Sequence, residues 1–157
     1  MKARLEDSLL DVALAGFGAV SEALYPESDC GAPSHRDADM VARARSWFLT
    51  LPPESRRLLL ALFASMELLG AGFAPALGRF SRLSAARRLR VVERLRASPI
   101  APLKFLGDAL KQSTSMIYLS HPAVLAHLGV YKSCDHPGAG LVPVRADALR
   151  SAPGATS

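Results

Sequence analysis

Proline and glycine cut this chain into blocks whose apolar residues recur at three- and four-residue spacing, a pattern that leaves room for little but helix. No stretch sustains apolar–polar alternation, and no Asn-Gly or Asp-Gly pair offers a hairpin turn. Half of the 157 residues belong to the AVILMFWYC set and 21% are charged, so the chain can bury a core of its own rather than stay disordered. The expectation is an all-α fold: a single compact bundle of five to six helices, one domain over residues 1–134, with a mobile Gly/Pro/Ala-rich tail over 135–157.

The first block runs from about Ala3 to Leu24, with Leu5, Leu9, Val12 and Leu24 as its inward stripe, and Tyr25-Pro26 ends it. A loop follows over Glu27 to Arg36. The second block, Asp37 to Leu51, aligns Met40, Ala44, Trp47, Phe48 and Leu51, with Asp37 and Asp39 placed to suit the helix dipole. The third opens at Pro52-Pro53-Glu54, runs to about Leu69 and is apolar nearly all round after Arg57, which marks it as the central helix. The fourth spans Ala85 to Ala97 behind Ser84 as N-cap. It sets Ala85, Leu89 and Val92 against Arg87, Arg90 and Arg94. The fifth, Leu103 to Leu119, turns Leu103, Leu106, Leu110 and Ile117 inward. A short sixth starts at Ser120-His121-Pro122 and closes at Leu128-Gly129, with glycine as the C′ residue.

Two segments invite a membrane or export reading. Met1 to Arg4 is basic and Ala13 to Val20 is apolar, but Glu6, Asp7 and Asp11 interrupt any signal-like run, and no twin-arginine pair precedes it. A cytoplasmic location is expected, with a periplasmic one only if a signal-bearing partner carries the chain. Leu58 to Leu77 holds 20 residues with Glu67 as its single charge, yet Gly70, Gly72 and Pro75 break it, so a core helix without a membrane span is expected.

Motifs for catalysis are thin. Cys30 and Cys134 are the only thiols, which excludes a four-thiolate metal cluster and a disulfide-dense scaffold. His121 and His127 stand six apart, on different helix faces, and Cys134 with His136 makes only a fragment of a ligand set. Neither H-E-x-x-H, C-x-x-C nor G-x-S-x-G occurs. Gly16-Phe17-Gly18 and Gly70-Ala71-Gly72 lie in helical blocks and read as close helix packing, not as phosphate loops. Glu67 in the most apolar helix needs a partner or a raised pKa: it pairs with an arginine inside the bundle or faces another protein, and internal pairing is preferred to a catalytic role.

Charge is concentrated in arginine. The formal net charge is +5, and Arg79, Arg82, Arg87, Arg88, Arg90, Arg94 and Arg96 fall within 18 residues. Three readings stand: a solvated face, a protein interface built on guanidinium–carboxylate pairs, or a phosphate-binding helix. Aromatic residues at 6% argue against stacking on single-stranded nucleic acid, and no helix-turn-helix is evident, so nucleic acid is the alternative and not the favoured partner.

Five segments follow one another in order: Ala23-Leu24-Tyr25-Pro26; Leu51-Pro52-Pro53-Glu54-Ser55-Arg56-Arg57; Arg79-Phe80-Ser81-Arg82-Leu83-Ser84; Met116 through Val124; and Leu128-Gly129-Val130-Tyr131. This set resembles the gluconate 2-dehydrogenase subunit 3 family, the small helical subunit of flavin dehydrogenases. It is also similar to the helical region ahead of the flavin domain in long-chain alcohol oxidases. The resemblance covers about residues 10–132. It implies an accessory chain that binds no cofactor and has no catalytic residues. Its implied partner, in a hetero-oligomer, is a large oxidoreductase of the glucose–methanol–choline type that carries FAD. Tyr118, His121, Pro122, Leu128, Gly129 and Tyr131 match the family's closing segment and take a structural or partner-contact role by likeness. Arg79, Phe80, Arg82, Arg87, Arg90 and Arg94 complete the expected contact set, with Phe80 or Tyr118 as a buried anchor.

Overall fold

The computed structural model describes residues 2–69 and 79–129, with the side chains of all of these except 2–6 and 69. Gly70-Ala71-Gly72, Tyr131, Cys134, His136 and the tail from Asp135 lie outside the described residues.

The first helix, α1 (Lys2–Leu24), contains neither proline nor a capping break until Tyr25-Pro26. It packs against every long helix that follows: α2 (Met40–Thr50), α3 (Pro53–Leu69), α4 (Ala85–Arg96) and α5 (Ala101–Leu119). A 3-10 turn at Phe80–Arg82 and the short α6 (Pro122–His127) complete the described elements, none of which is a strand. The fold is thus an all-α bundle, as expected.

The centre of the bundle is α1, not α3. The inward side of α1 carries Leu10, Ala13, Leu14, Phe17 and Val20, while Leu9 is exposed and Val12 and Leu24 are half-buried. Of the expected stripe, Val12 and Leu24 pack on the edge of the core, Leu9 is exposed, and the side chain of Leu5 lies outside the described residues. The small residues Ala13, Gly16, Ala19 and Ala23 face inward and add little hydrophobic weight to a scan for large side chains. They matter because small residues let helices approach. A methyl group on Gly16 would overlap the Phe63 carbonyl oxygen of α3, and one on Gly107 would come within 2.7 Å of Arg96 N in α4. Gly16-Phe17-Gly18 is close helix packing, as read from the sequence.

Phe17 is the pivot of the core. It meets Phe63 edge-on with centroids 5.0 Å apart and Phe48 at 6.0 Å, so aromatic rings from α1, α2 and α3 interlock. Met40, Ala44 and Phe48 of α2 are buried and Trp47 and Leu51 half-buried, matching the expected stripe. Helix α3 buries Leu60, Phe63, Ala64, Met66 and Glu67 but leaves Leu58 and Leu68 in solvent, so its apolar character is one-sided in its packing. Glu67, 1% exposed, is met by Ser81 rather than by arginine: its carboxylate accepts from the Ser81 N–H at 2.9 Å and the Ser81 hydroxyl at 2.6 Å.

Helix α2 starts at Met40, later than Asp37. Asp37 instead closes a turn with Ser34, accepting from its N–H at 2.9 Å and its hydroxyl at 2.8 Å. These bonds, led by the Ser34 N–H, hold the Asp37 carboxyl below the usual range. Asp39 sits at φ 45°, a left-handed geometry that aspartate tolerates better than most residues. Ser84 occupies the N-cap position of α4 without a side-chain capping bond. Gly129 at φ 70° closes α6 as the expected C′ residue.

Candidate functional site

The seven clustered arginines separate into two kinds. Arg79, Arg82, Arg87, Arg90 and Arg94 are exposed. Arg88 points the other way. It is 8% exposed, pairs with Glu22 of α1 at 2.6 Å, and donates to the carbonyls of Leu83 at 2.7 Å and Ala19 at 3.2 Å. The Arg88 hydrogen bond holds the Glu22 carboxyl below the usual range. Arg96 is tied to Asp108 of α5 at 2.9 Å. Arg88 and Arg96 therefore link helices, and the exposed basic face also carries Glu93.

Phe80 is fully buried, which removes it as a surface anchor. The 3-10 turn drives its ring into the core, and the next residue, Ser81, seals Glu67. Tyr118 is also committed internally. Its ring stacks on Tyr25 with centroids 3.9 Å apart and planes 9° from parallel, and its hydroxyl donates to the Pro33 carbonyl. The Tyr25 and Ser115 hydroxyls share a 2.7 Å hydrogen bond. Burial pushes both phenols up. Two of the five ordered segments thus meet here, tying the loop after α1 to the end of α5.

At the α5–α6 junction, His121 is the N-cap of α6 and its Nδ1 accepts from the Ala123 N–H at 3.2 Å. Pro122 fills the first helical position, where its missing N–H has no partner to lose. Pro122, Leu128 and Gly129 are exposed. Their roles in shaping the junction are local, while Leu128 and the exposed arginines keep accessible side chains.

The sequence reading passed over a cleft of about 440 Å³ between α2 and the end of α5. Arg43, Ser46, Trp47 and Thr50 form one wall, at the spacing of a single helical face, and Met116, Ile117 and Ser120 form the other. Arg43 Nη2 donates to the Ser120 hydroxyl at 2.8 Å and its carbonyl at 3.3 Å. Arg43 Nε is buried and meets no acceptor. The spacing on α2 was visible in the sequence, but its second wall lies about seventy residues away and is joined only by folding.

Among the described residues, no three or more of His, Cys, Asp and Glu gather where they could hold a metal ion. Cys30 is exposed, and the Ser28 hydroxyl at 2.7 Å lowers its thiol. No described helix is long and apolar enough to cross a membrane. No protein-family model matches the sequence, and no curated protein or solved structure matches it either.

Proposed function

We propose that this chain is a non-catalytic accessory subunit that binds and stabilises an FAD-dependent alcohol or sugar oxidoreductase of the glucose–methanol–choline type. The observation that carries the reading is the outward face of α5. Phe105, Met116 and Leu119 are exposed there, Phe105 to 73%. With Ala109 and Gln112 they fall within an arc of about 80° at 100° per residue. The opposite face of α5 already fills the core through Leu110, Thr114 and Ile117. An apolar stripe left outside a finished core marks a surface for another protein. The ordered segments resembling the small-subunit family name the kind of partner, and the redox chemistry and FAD belong to that partner.

The test is a mild affinity pull-down of the tagged chain from its native host, with an absorption spectrum of the eluate. A stoichiometric large partner showing flavin bands is the expected result. A colourless eluate holding this chain alone counts against the reading. Phe105→Glu should abolish capture while leaving the fold intact, because the side chain it replaces contributes little to the core.

A further inference from the structure

We propose that the cleft between α2 and α5 is a binding site for an organic carboxylate carried on an apolar body. This inference stands whether or not the chain's partner is a flavoprotein. Arg43 supplies the first half of the argument. A guanidinium has five N–H donors and no acceptor capacity. The bonds Arg43 makes both leave from Nη2 and end on the neutral Ser120, and no carboxylate among the described residues pairs with it. Its Nε–H is shut away from solvent without an acceptor. Arg43 as a whole is half-buried and lines the cleft, so an anion there can meet the accessible part of the guanidinium and offset a charge that no carboxylate meets. The neighbouring hydroxyls cannot serve instead. Thr50 Oγ1 donates to the Trp47 carbonyl at 2.7 Å, and Ser120 Oγ donates to the Ile117 carbonyl at 2.8 Å.

The walls supply the second half. Trp47, Met116 and Ile117 give an aromatic face, a flexible thioether and a branched aliphatic surface, suited to a hydrocarbon body. Met116 is 61% exposed, an apolar side chain at the mouth of the cleft. The volume of about 440 Å³ lies in the range of small-ligand sites. Among the described residues one cation, Arg43, lines the cleft, which matches the single charge of a carboxylate better than the double charge of a phosphate ester. The carboxylate can come from a free amphipathic acid or from a glutamate beside a large apolar residue on another protein.

Trp47 is the chain's only tryptophan, so its emission reports on this cleft alone. The experiment titrates the full chain with octanoate and with 1-octanol, following Trp47 emission and, in parallel, the heat of binding. Octanoate should saturate and bind at least about tenfold tighter than the alcohol, the margin of one charge-assisted hydrogen bond. Arg43→Gln should erase that preference. Met116→Glu, a change at an exposed site that spares the core, should repel octanoate. Equal binding of acid and alcohol overturns the proposal, as does the absence of both heat and emission change. Should Arg43→Gln fail to fold, the acid–alcohol comparison and Met116→Glu decide alone. N-acetyl-Leu-Glu-amide distinguishes the sources: binding tighter than octanoate assigns a protein glutamate, and binding weaker than octanoate assigns a free acid.

Discussion

Arg88 shows how far apart two neighbours of identical composition can end. Arg87 lies in solvent, while Arg88 reaches α1 and pairs with Glu22. The placement was readable in part, since Arg88 stands four and seven residues before Val92 and Leu95, both buried. Runs of arginine mask such a stripe because every member suggests solvent. The pair has a consequence for acid stability. The Glu22 carboxyl titrates lower in the folded chain than in the unfolded one. Its contribution is therefore present above the ordinary glutamate value and is lost as pH falls through the lowered one. Urea midpoints should begin to drop as pH goes below about 4.3. Glu22→Gln should flatten that portion of the profile and cost about 1 kcal/mol at neutral pH, a modest figure because the Glu22 side chain is 39% exposed.

At the level of elements, most helix ends and the inward faces of α2, α4 and α5 were legible, while the central helix was not. Pro26, Pro53, Pro99 with Pro102, and Gly129 mark ends that the backbone obeys for steric reasons independent of tertiary contact. Phase and centrality depend on which partner each face finds. Thus α3, the most apolar block, packs on one side, while α1 with its alanines and glycines takes the middle. The α2–α5 cleft was hidden for the same reason. The glycine contacts make this testable. Gly16→Ala should destabilise by about 2–3 kcal/mol, because the obstructing Phe63 carbonyl is rigid backbone. Gly107→Ala should lose a similar amount against Leu95 and Arg96. Gly18→Ala, whose new methyl meets only Val41 Cγ2 at 3.1 Å, should be near neutral, since helix propensity offsets the crowding. Thermal or urea unfolding of the three variants ranks them directly.

For the whole molecule, net charge and exposed arginine leave a measurable alternative. If duplex DNA were the partner, Arg88 and Arg96 of the seven clustered arginines could reach phosphates only by breaking an interhelical pair, which leaves at most five. Binding should then show a log–log salt slope no steeper than about −4.5, vanishing at physiological salt. Retention of DNA at that salt would displace the accessory reading. The architecture also sets a schedule for biosynthesis. Helix α1 leaves the ribosome before each helix it supports, and α5 ends 95 residues after α1 does. At bacterial or eukaryotic elongation rates that is a delay of about 5–20 s. Within it, Phe17 gains Phe48 of α2 and then Phe63 of α3, so most of the α1 core closes before α5 is made. A chain stalled just before α5 should therefore already pack α1 on α2, α3 and α4, with only the side that α5 covers left bare, and protease protection of α1 in such a chain checks it.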